Sequence, residues 1–462
     1  MEQSVIFDLE LIKRYDKSGP RYTSYPTAIQ FHEGFAEPQY QTIARATNTE
    51  SQQRPLSLYF HIPFCDTVCF YCGCNKIATK DRSKAQPYLD RVYRELALQA
   101  ELYDDDRYVD QLHWGGGTPT FISHEQMREL MAETQRHFRL RDDDSGEYSI
   151  EIDPREVQGD TIKLLRELGF NRMSLGAQDF EPVVQQAVNR IQTEEQTFAV
   201  LDQARQEGFK SISIDLIYGL PLQTMVSFER TLDKVIAASP DRLSIFNYAH
   251  LPELFKPQRR INEAELPQPA VKLDILQMTI EKLAAAGYVY IGMDHFARPD
   301  DELAIAQREQ TLYRNFQGYS THAECDLIGI GVTSIGKVGR SYSQNYKGIE
   351  EYYQAIDSGH LPVFRGVELD DDDVLRRDVI TRLMCHFELD MTAIEKEYGL
   401  SFADYFAIEL EALQTMQQDG LLEVSDKLIR VMPRGRLLIR NVCMVFDRYL
   451  REPSQQRFSK VI

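Results

Sequence analysis

The stretch CDTVCFYCGC, Cys65 to Cys74, places four of the chain's seven cysteines within ten residues. Thiolates are soft donors and select zinc, Cu(I) or iron–sulfur clusters. A structural zinc site generally takes two ligand pairs separated by a longer loop. Here Cys65, Cys69 and Cys72 follow in one tight turn directly after a strand-like run ending in His61-Ile62-Pro63. Ordinary electron-transfer clusters take four cysteines in other spacings. The C-x3-C-x2-C order fits a third arrangement, in which three cysteines hold three irons of a [4Fe–4S] cluster and the fourth iron stays open.

Something must hold this loop and supply what meets the open position. From residue 56 onward short β-rich runs alternate with amphipathic stretches. The runs are 56–62, 111–117, 148–153, 172–178, 211–219 and 242–250, with helix-like segments such as 160–169 and 198–208 between them. Strand alternating with helix predicts a parallel sheet of βα units, and six in a row predict a complete or partial barrel. Glu151, Asp153, Gln178, Asp215, Tyr248 and His250 fall toward the C-terminal ends of their runs. In a parallel barrel that end carries the active site. The run YVYIGMDHFA (288–297) has the same shape and is expected as an extra flanking strand.

The expected fold is therefore α/β: a partial (β/α)6 TIM-like barrel with its flanking elements over 56–365. An irregular N-terminal arm rich in Pro, Gly, Ser and Tyr precedes it over 1–55, and a mainly helical domain follows over 366–462. In that last part ELDDDDVLRRDVITRLMCHF opens with an acidic first turn, which favours a helix start. The runs LLEV and LIRV across SDK predict a small hairpin, giving a winged-helix-like outline.

The chain has 462 residues, is 43% hydrophobic and 27% charged, and carries a net charge of −19. That balance argues against nucleic acid or an anionic membrane as partner, since both require a basic face. It also favours a structural or lid role over DNA binding for the wing. The opening MEQSVIFDLELIKRYDK lacks the apolar core of a secretory signal, and no apolar run approaches the ~18 residues a membrane helix needs. The expected location is the cytoplasm, where clustered cysteines are metal ligands or catalytic thiols rather than disulfides. Cys325, Cys385 and Cys443 are widely spaced and read as buried apolar residues.

C-x3-C-x2-C with Tyr71 before the third cysteine resembles the radical S-adenosylmethionine enzymes. Segments along nearly the whole chain (SGPRYTSYPTA, LYFHIPFC, CGCNKI, LHWGGGTPT, IEIDPRE, GAQDF, DLIYGLP, FNYAHLP, GMDHFARPDDELA, RNFQGYSTH and GRLLIRNVCMVFDRYLR) resemble the oxygen-independent coproporphyrinogen III oxidases (dehydrogenases) of heme biosynthesis. The resemblance implies that S-adenosylmethionine chelates the open iron and is cleaved to a 5′-deoxyadenosyl radical. Two propionates of coproporphyrinogen III would then lose CO2 and become vinyl groups, giving protoporphyrinogen IX. A chaperone-like, heme-binding branch of the same superfamily is the nearest alternative. That branch generally lacks the PRYTSYPT arm and the second cysteine of Cys-Gly-Cys, whereas this chain has Arg21 to Thr27 and Cys74. A non-catalytic zinc or iron–sulfur module is the other alternative.

The resemblance assigns Cys65, Cys69 and Cys72 to the cluster and leaves Cys74 outside the ligand set. It places Tyr59 at S-adenosylmethionine and Tyr71 beside the adenine. Gly116, Gly117 and Thr118 become contacts of the methionine amino group. Glu151, Gln178, Arg190 and Asp215 become further S-adenosylmethionine contacts, and Tyr59 and Glu151 catalytic residues. Ala249 and Ile335 match positions associated with a second S-adenosylmethionine, with Phe316 and Gln317 lining the same pocket. His61 is read either as tuning a cluster sulfur or as a strand-end histidine satisfied by backbone. The four propionates require cations, and Arg21, Arg298, Arg308 and Arg314 are candidates. The implied partners are coproporphyrinogen III, a flavodoxin- or ferredoxin-like one-electron reductant and an unidentified electron acceptor. The enzyme is expected to be a monomer.

Overall fold

The computed structural model describes residues 5–49, 53–322 and 325–451. Residues 1–4 and 50–52 of the expected arm, and 452–462 of the expected C-terminal domain, lie outside the described residues. Two compact units form, each assembled from separated stretches. The larger comprises Gln30–Gln268 and Glu324–Glu368; the smaller comprises Met1–Ile29, Pro269–Ala323 and Leu369–Ile462.

The larger unit is built on a parallel sheet. Its six successive strands are Leu56–Ile62, Tyr108–Gly116, Glu147–Ile152, Arg172–Gln178, Ser211–Tyr218 and Arg242–Asn247. Each pairs in parallel with the next. Helices such as Ala85–Ala100, His124–His137 and Glu194–Gln206 lie between them in sequence. The first strand explains its own burial. Leu56, Leu58, Phe60 and Ile62 alternate onto one face and are all but fully buried, each burial contributing about 1.5–3 kcal/mol. Tyr59 and His61 alternate onto the other face. On the far side of this strand Asp326–Ile330 pairs in parallel, and antiparallel strands Ile335–Val338, Ser341–Asn345 and Val363–Glu368 continue the sheet.

One buried carboxylate ties this continuation to a helix. Glu95 accepts from Tyr352 Oη at 2.6 Å, Gly331 N at 2.8 Å and Asn345 Nδ2 at 2.7 Å. Burial nonetheless pushes its carboxyl up to about 7, the three donors offsetting only part of the shift. A raised carboxyl favours the protonated folded state. Its contribution is fully present below the unfolded value of 4.5 and is lost as pH rises through about 7. Wild-type stability should therefore fall relative to Glu95→Gln by up to about 3 kcal/mol across that window. Urea midpoints of the two proteins measured across the window check this.

The smaller unit contains the helix Asp371–His386, capped by Asp370, whose side chain accepts from Asp373 N at 2.8 Å. Helices Met391–Tyr398 and Ala407–Gln418 follow, with an antiparallel three-stranded sheet in which Leu428–Val431 lies between Glu388–Asp390 and Leu422–Val424. The N-terminal arm is ordered by named contacts. Arg440 Nε donates to Pro20 O at 2.9 Å, Asn441 Nδ2 to Tyr15 O at 2.9 Å and Tyr22 Oη to Asp447 at 2.9 Å. The run 288–297 differs from expectation. It is a hairpin of Val289–Gly292 against His295–Ala297, not one strand. Gly292 at φ 146° and Met293 at φ 52° reverse the chain there. Among the described residues no helix is long and apolar enough to cross a membrane.

Candidate active site

The cysteine loop leaves the first parallel strand and closes on itself. Phe64–Cys65 pairs with Ile77–Ala78. Ile77 N donates to Pro63 O at 2.7 Å, and Thr79 N to Cys65 O at 2.9 Å. The Gly-rich loop after the second strand lies against it, with Gly117 N on Ile62 O and Thr118 N on Phe64 O, both at 2.8 Å. A Cβ on Gly117 would come within 2.7 Å of Phe64 O, so only glycine allows this backbone approach. From the other side Phe70 N donates to Val188 O and Asn189 Nδ2 to Val68 O, both at 2.9 Å.

The three thiols sit in a cationic setting. Arg155 and Arg190 each donate to Cys69 Sγ at 3.6 Å. Thr118 Oγ1 donates to Cys65 Sγ at 3.5 Å, and Lys76 Nζ to Cys72 O at 3.0 Å. Cys74 serves Cys72: its N–H points at Cys72 Sγ at 3.4 Å. The Cys74 thiol's hydrogen bond lowers the Cys72 thiol to about 5, while burial raises Cys65 to about 11. Among the described residues no three His, Cys, Asp or Glu side chains already form a closed ligand set for a metal ion.

Polar side chains line the strand ends beside this loop. Tyr59 Oη meets His61 Nδ1 at 3.1 Å, and the Tyr59 ring stacks on His113 with centroids 5.8 Å apart. His61 Nε2 meets Asn75 O at 2.9 Å, so its ring is held by Tyr59 and by backbone of the cysteine loop. This is the backbone-satisfied alternative for His61. Glu151 accepts from Gly116 N at 3.1 Å and lies 3.5 Å from His113 Nε2. Burial works against its charge, but the His113 contact and the Gly116 N–H hold its carboxyl below the ordinary value. Asp215 accepts from Ser174 Oγ at 2.8 Å, and burial pushes it up to about 6.

Arg190, 6% exposed, donates to Asp153 at 3.0 Å and to Gly176 O at 2.6 Å. Asp153 also holds Arg155 at 2.7 Å. Three buried polar atoms near these strand ends lack a partner among the described residues: Arg190 Nε, Gln178 Oε1 and Asn247 Oδ1. Gln178 itself stands at φ 63°, which turns it out of the strand. Tyr71 packs on the cluster of Val184, Val188, Leu220, Tyr248 and Ile261, and its carbonyl accepts from Gln258 Nε2 at 2.9 Å. Gln258 Nε2 also reaches Ala249 O at 3.2 Å. Ile335 opens a strand of the sheet's antiparallel extension, its backbone against Gly329. Phe316 and Gln317 belong to the smaller unit, and Gln317 Nε2 is buried without a partner among the described residues.

The larger unit thus brings Tyr59, the three thiols, Gly116, Gly117, Thr118, Glu151 and Arg190 into one connected set. Sequence reasoning named Asp153 only as a strand-end acid and did not name Arg155, His113, Lys76 or Gln258. Arg155 two residues after Asp153 was the available signal, since a cation beside a strand-end acid can fix that acid's direction. The donor set fits a [4Fe–4S] cluster and S-adenosylmethionine. Three soft thiols lie among cations suited to an anionic centre, and the unsatisfied Arg190, Gln178 and Asn247 atoms call for a polar ligand.

Known proteins agree with this chemistry. The Radical SAM superfamily model matches residues 59–235, and the HemN C-terminal domain model matches residues 369–438. The oxygen-independent coproporphyrinogen III oxidase of Pseudomonas aeruginosa is 54% identical over 462 residues, covering 100% of both chains. The protein of that name from Synechocystis is 48% identical over 464 residues, covering 99% of each. The solved structure of coproporphyrinogen III oxidase (HemN) from Escherichia coli, described as a radical SAM enzyme, superposes with a TM-score of 0.92 at 52% identity, covering 97% of this chain and 100% of that one. This chain belongs to the oxygen-independent coproporphyrinogen III oxidases of the radical S-adenosylmethionine superfamily.

Proposed function

We propose that the protein converts coproporphyrinogen III to protoporphyrinogen IX without oxygen, by oxidative decarboxylation of two propionates in heme biosynthesis. The observation that carries this is the three-thiol loop flanked by Arg155 and Arg190, with buried Arg190, Gln178 and Asn247 atoms left unsatisfied beside it. When bound, the [4Fe–4S] cluster and S-adenosylmethionine would supply the radical chemistry needed at the propionate β-carbon.

Cys65, Cys69 and Cys72 would hold the cluster. Gly116, Gly117, Thr118, Glu151, Gln178, Arg190 and Asp215 would bind S-adenosylmethionine, with Tyr59 fixed by His61 and His113, and Tyr71 beside the adenine. Glu151, held as a carboxylate, suits an ammonium or ribose hydroxyls. Ala249 and Ile335 would serve a second S-adenosylmethionine, one for each decarboxylation.

Of the four arginines offered for the propionates, Arg314 is favoured. It is 7% exposed, lies over the Tyr319 ring, and leaves Nε and Nη1 without partners among the described residues. An uncompensated buried guanidinium is costly, and a carboxylate satisfies it. Arg21 already pairs with Asp294, while Arg298 and Arg308 are exposed beside Asp300 and the Pro299 carbonyl. A soluble cytoplasmic monomer using a flavodoxin- or ferredoxin-like reductant is the setting proposed.

Anaerobic reconstitution with iron and sulfide tests the proposal. The reduced protein should cleave S-adenosylmethionine to methionine and 5′-deoxyadenosine in equal amounts. A protein that takes up iron and never consumes S-adenosylmethionine would refute it. Arg190→Ala should weaken S-adenosylmethionine binding about tenfold or more, since a buried charged contact through the open Nε is lost, while iron content stays unchanged. Equilibrium binding beside iron analysis reads both, and unchanged affinity counts against the assignment.

A further inference from the structure

The segment after the sixth parallel strand packs directly on the cysteine loop. The Phe255 ring lies over Gly73, where a Cβ would meet it at 3.1 Å. Gln258 Nε2 holds the Tyr71 carbonyl at 2.9 Å. The Arg260 guanidinium stands 5.3 Å from the centroid of Phe70, the residue after Cys69. The inward side of this knuckle thus touches residues 70, 71 and 73 of a loop whose thiols are Cys69 and Cys72.

Its outward side has a different character. Leu254 is 64% exposed, and Lys256, Arg259 and Arg260 are exposed. Among the described residues none of these three cations forms an ion pair; Arg259 Nε donates to the Pro252 carbonyl at 3.0 Å. Acids stand only at the two ends of the segment, Glu253 before it and Glu263 and Glu265 after it, and Glu263 faces His250 at 3.2 Å. In a chain of net charge −19, three unpaired cations around an exposed leucine form a local field of opposite sign.

We propose that the segment 254–260 is the surface on which a small acidic one-electron donor protein docks. This rests on the function proposed above, which requires an electron at the cysteine loop. The charge argues for an acidic partner, because the protein's net negative charge repels it while the cations of the knuckle attract it. The size argues for a redox encounter, since electron-transfer partners use small interfaces and separate quickly. Each encounter moves one electron: the donor's reduced carrier is oxidised by one, and the metal centre held by the loop is reduced by one. Leu254 supplies the apolar contact, and Lys256 and Arg259 steer approach.

The test uses the reconstituted holoenzyme and the double variant Lys256→Glu/Arg259→Glu, which leaves Arg260 on Phe70. Oxidised flavodoxin is titrated calorimetrically at low and at high ionic strength. Wild-type binding should weaken with salt; the variant should bind about tenfold or more weakly and lose that salt dependence. Cleavage of S-adenosylmethionine driven by dithionite, which needs no docking, should be equal in both. Equal flavodoxin affinity in the two proteins overturns the proposal. So does a variant that loses coproporphyrin III binding and keeps flavodoxin binding, because the knuckle then serves the substrate. If the reversal costs iron content, Lys256→Gln/Arg259→Gln repeats the comparison. A wild type that binds flavodoxin but never cleaves S-adenosylmethionine with dithionite defeats the function and leaves the docking surface standing.

Discussion

Cys65→Ser is expected to abolish turnover and strip the protein of its iron–sulfur absorbance, whereas Cys74→Ser should retain the iron. The two residues differ in what surrounds them. Cys65 is buried at the end of the first strand, bonded by Thr118 Oγ1 and fixed by the Ile77–Ala78 pairing. A serine oxygen there is a hard donor in a soft site, and the Cys74 thiol is engaged at Cys72 rather than at the Cys65 position. Cys74 is exposed, and its thiol and N–H are directed at Cys72 rather than inward. These contacts bear on the Cys72 sulfur, so losing Cys74 should alter the cluster's reduction potential more than its assembly. Iron and sulfide analysis after anaerobic reconstitution decides this. Equal iron in Cys65→Ser and wild type, or loss of iron from Cys74→Ser, would contradict the three-ligand assignment.

Arg107→Ala should lower unfolding stability by about 3–5 kcal/mol, because it strands a buried carboxylate. Arg107 and Asp326 meet at 2.6 Å with side-chain exposures of 1% and 0%. The same guanidinium binds Arg54 O at 2.7 Å, Thr47 Oγ1 at 2.8 Å and Asn48 Oδ1 at 3.1 Å. It therefore fastens the segment before the first strand to Asp326, the first residue of the strand paired beside it. Among the described residues the Asp326 carboxylate also accepts from Gly339 N at 2.8 Å, which cannot neutralise it. Urea denaturation should show a lower midpoint at unchanged slope. A loss under about 1 kcal/mol would mean that water reaches the site and screens the pair.

The parallel strands were legible because their apolar residues alternate and stop at turn residues. The runs 56–62 and 172–178 match the strands to the residue. The cysteine loop was legible because ligand spacing is local. Contacts between distant segments were not. Nothing local marks Gln258 as the residue that ties Tyr71 to Ala249, or His113 as the ring between Tyr59 and Glu151, since both depend on which strand ends become neighbours. The hairpin at 288–297 was missed because Gly292 and Met293 sit inside an unbroken β-rich run, where the apolar pattern outweighed the turn signal. The N-terminal arm read only as an irregular segment from its Pro, Gly, Ser and Tyr content. Its bonds to Arg440, Asn441 and Asp447 make it part of the smaller unit's fabric. Deleting residues 1–30 would therefore disturb folding as well as activity, and single substitutions at Arg21 are the cleaner probe.

The central claim is tested most directly by anaerobic turnover of coproporphyrinogen III with the reconstituted protein, a one-electron reductant and S-adenosylmethionine. The account predicts protoporphyrinogen IX, with one CO2 and one 5′-deoxyadenosine formed for each vinyl group. Cleavage of S-adenosylmethionine with no CO2 and no vinyl product, at any concentration of coproporphyrinogen III, would contradict it.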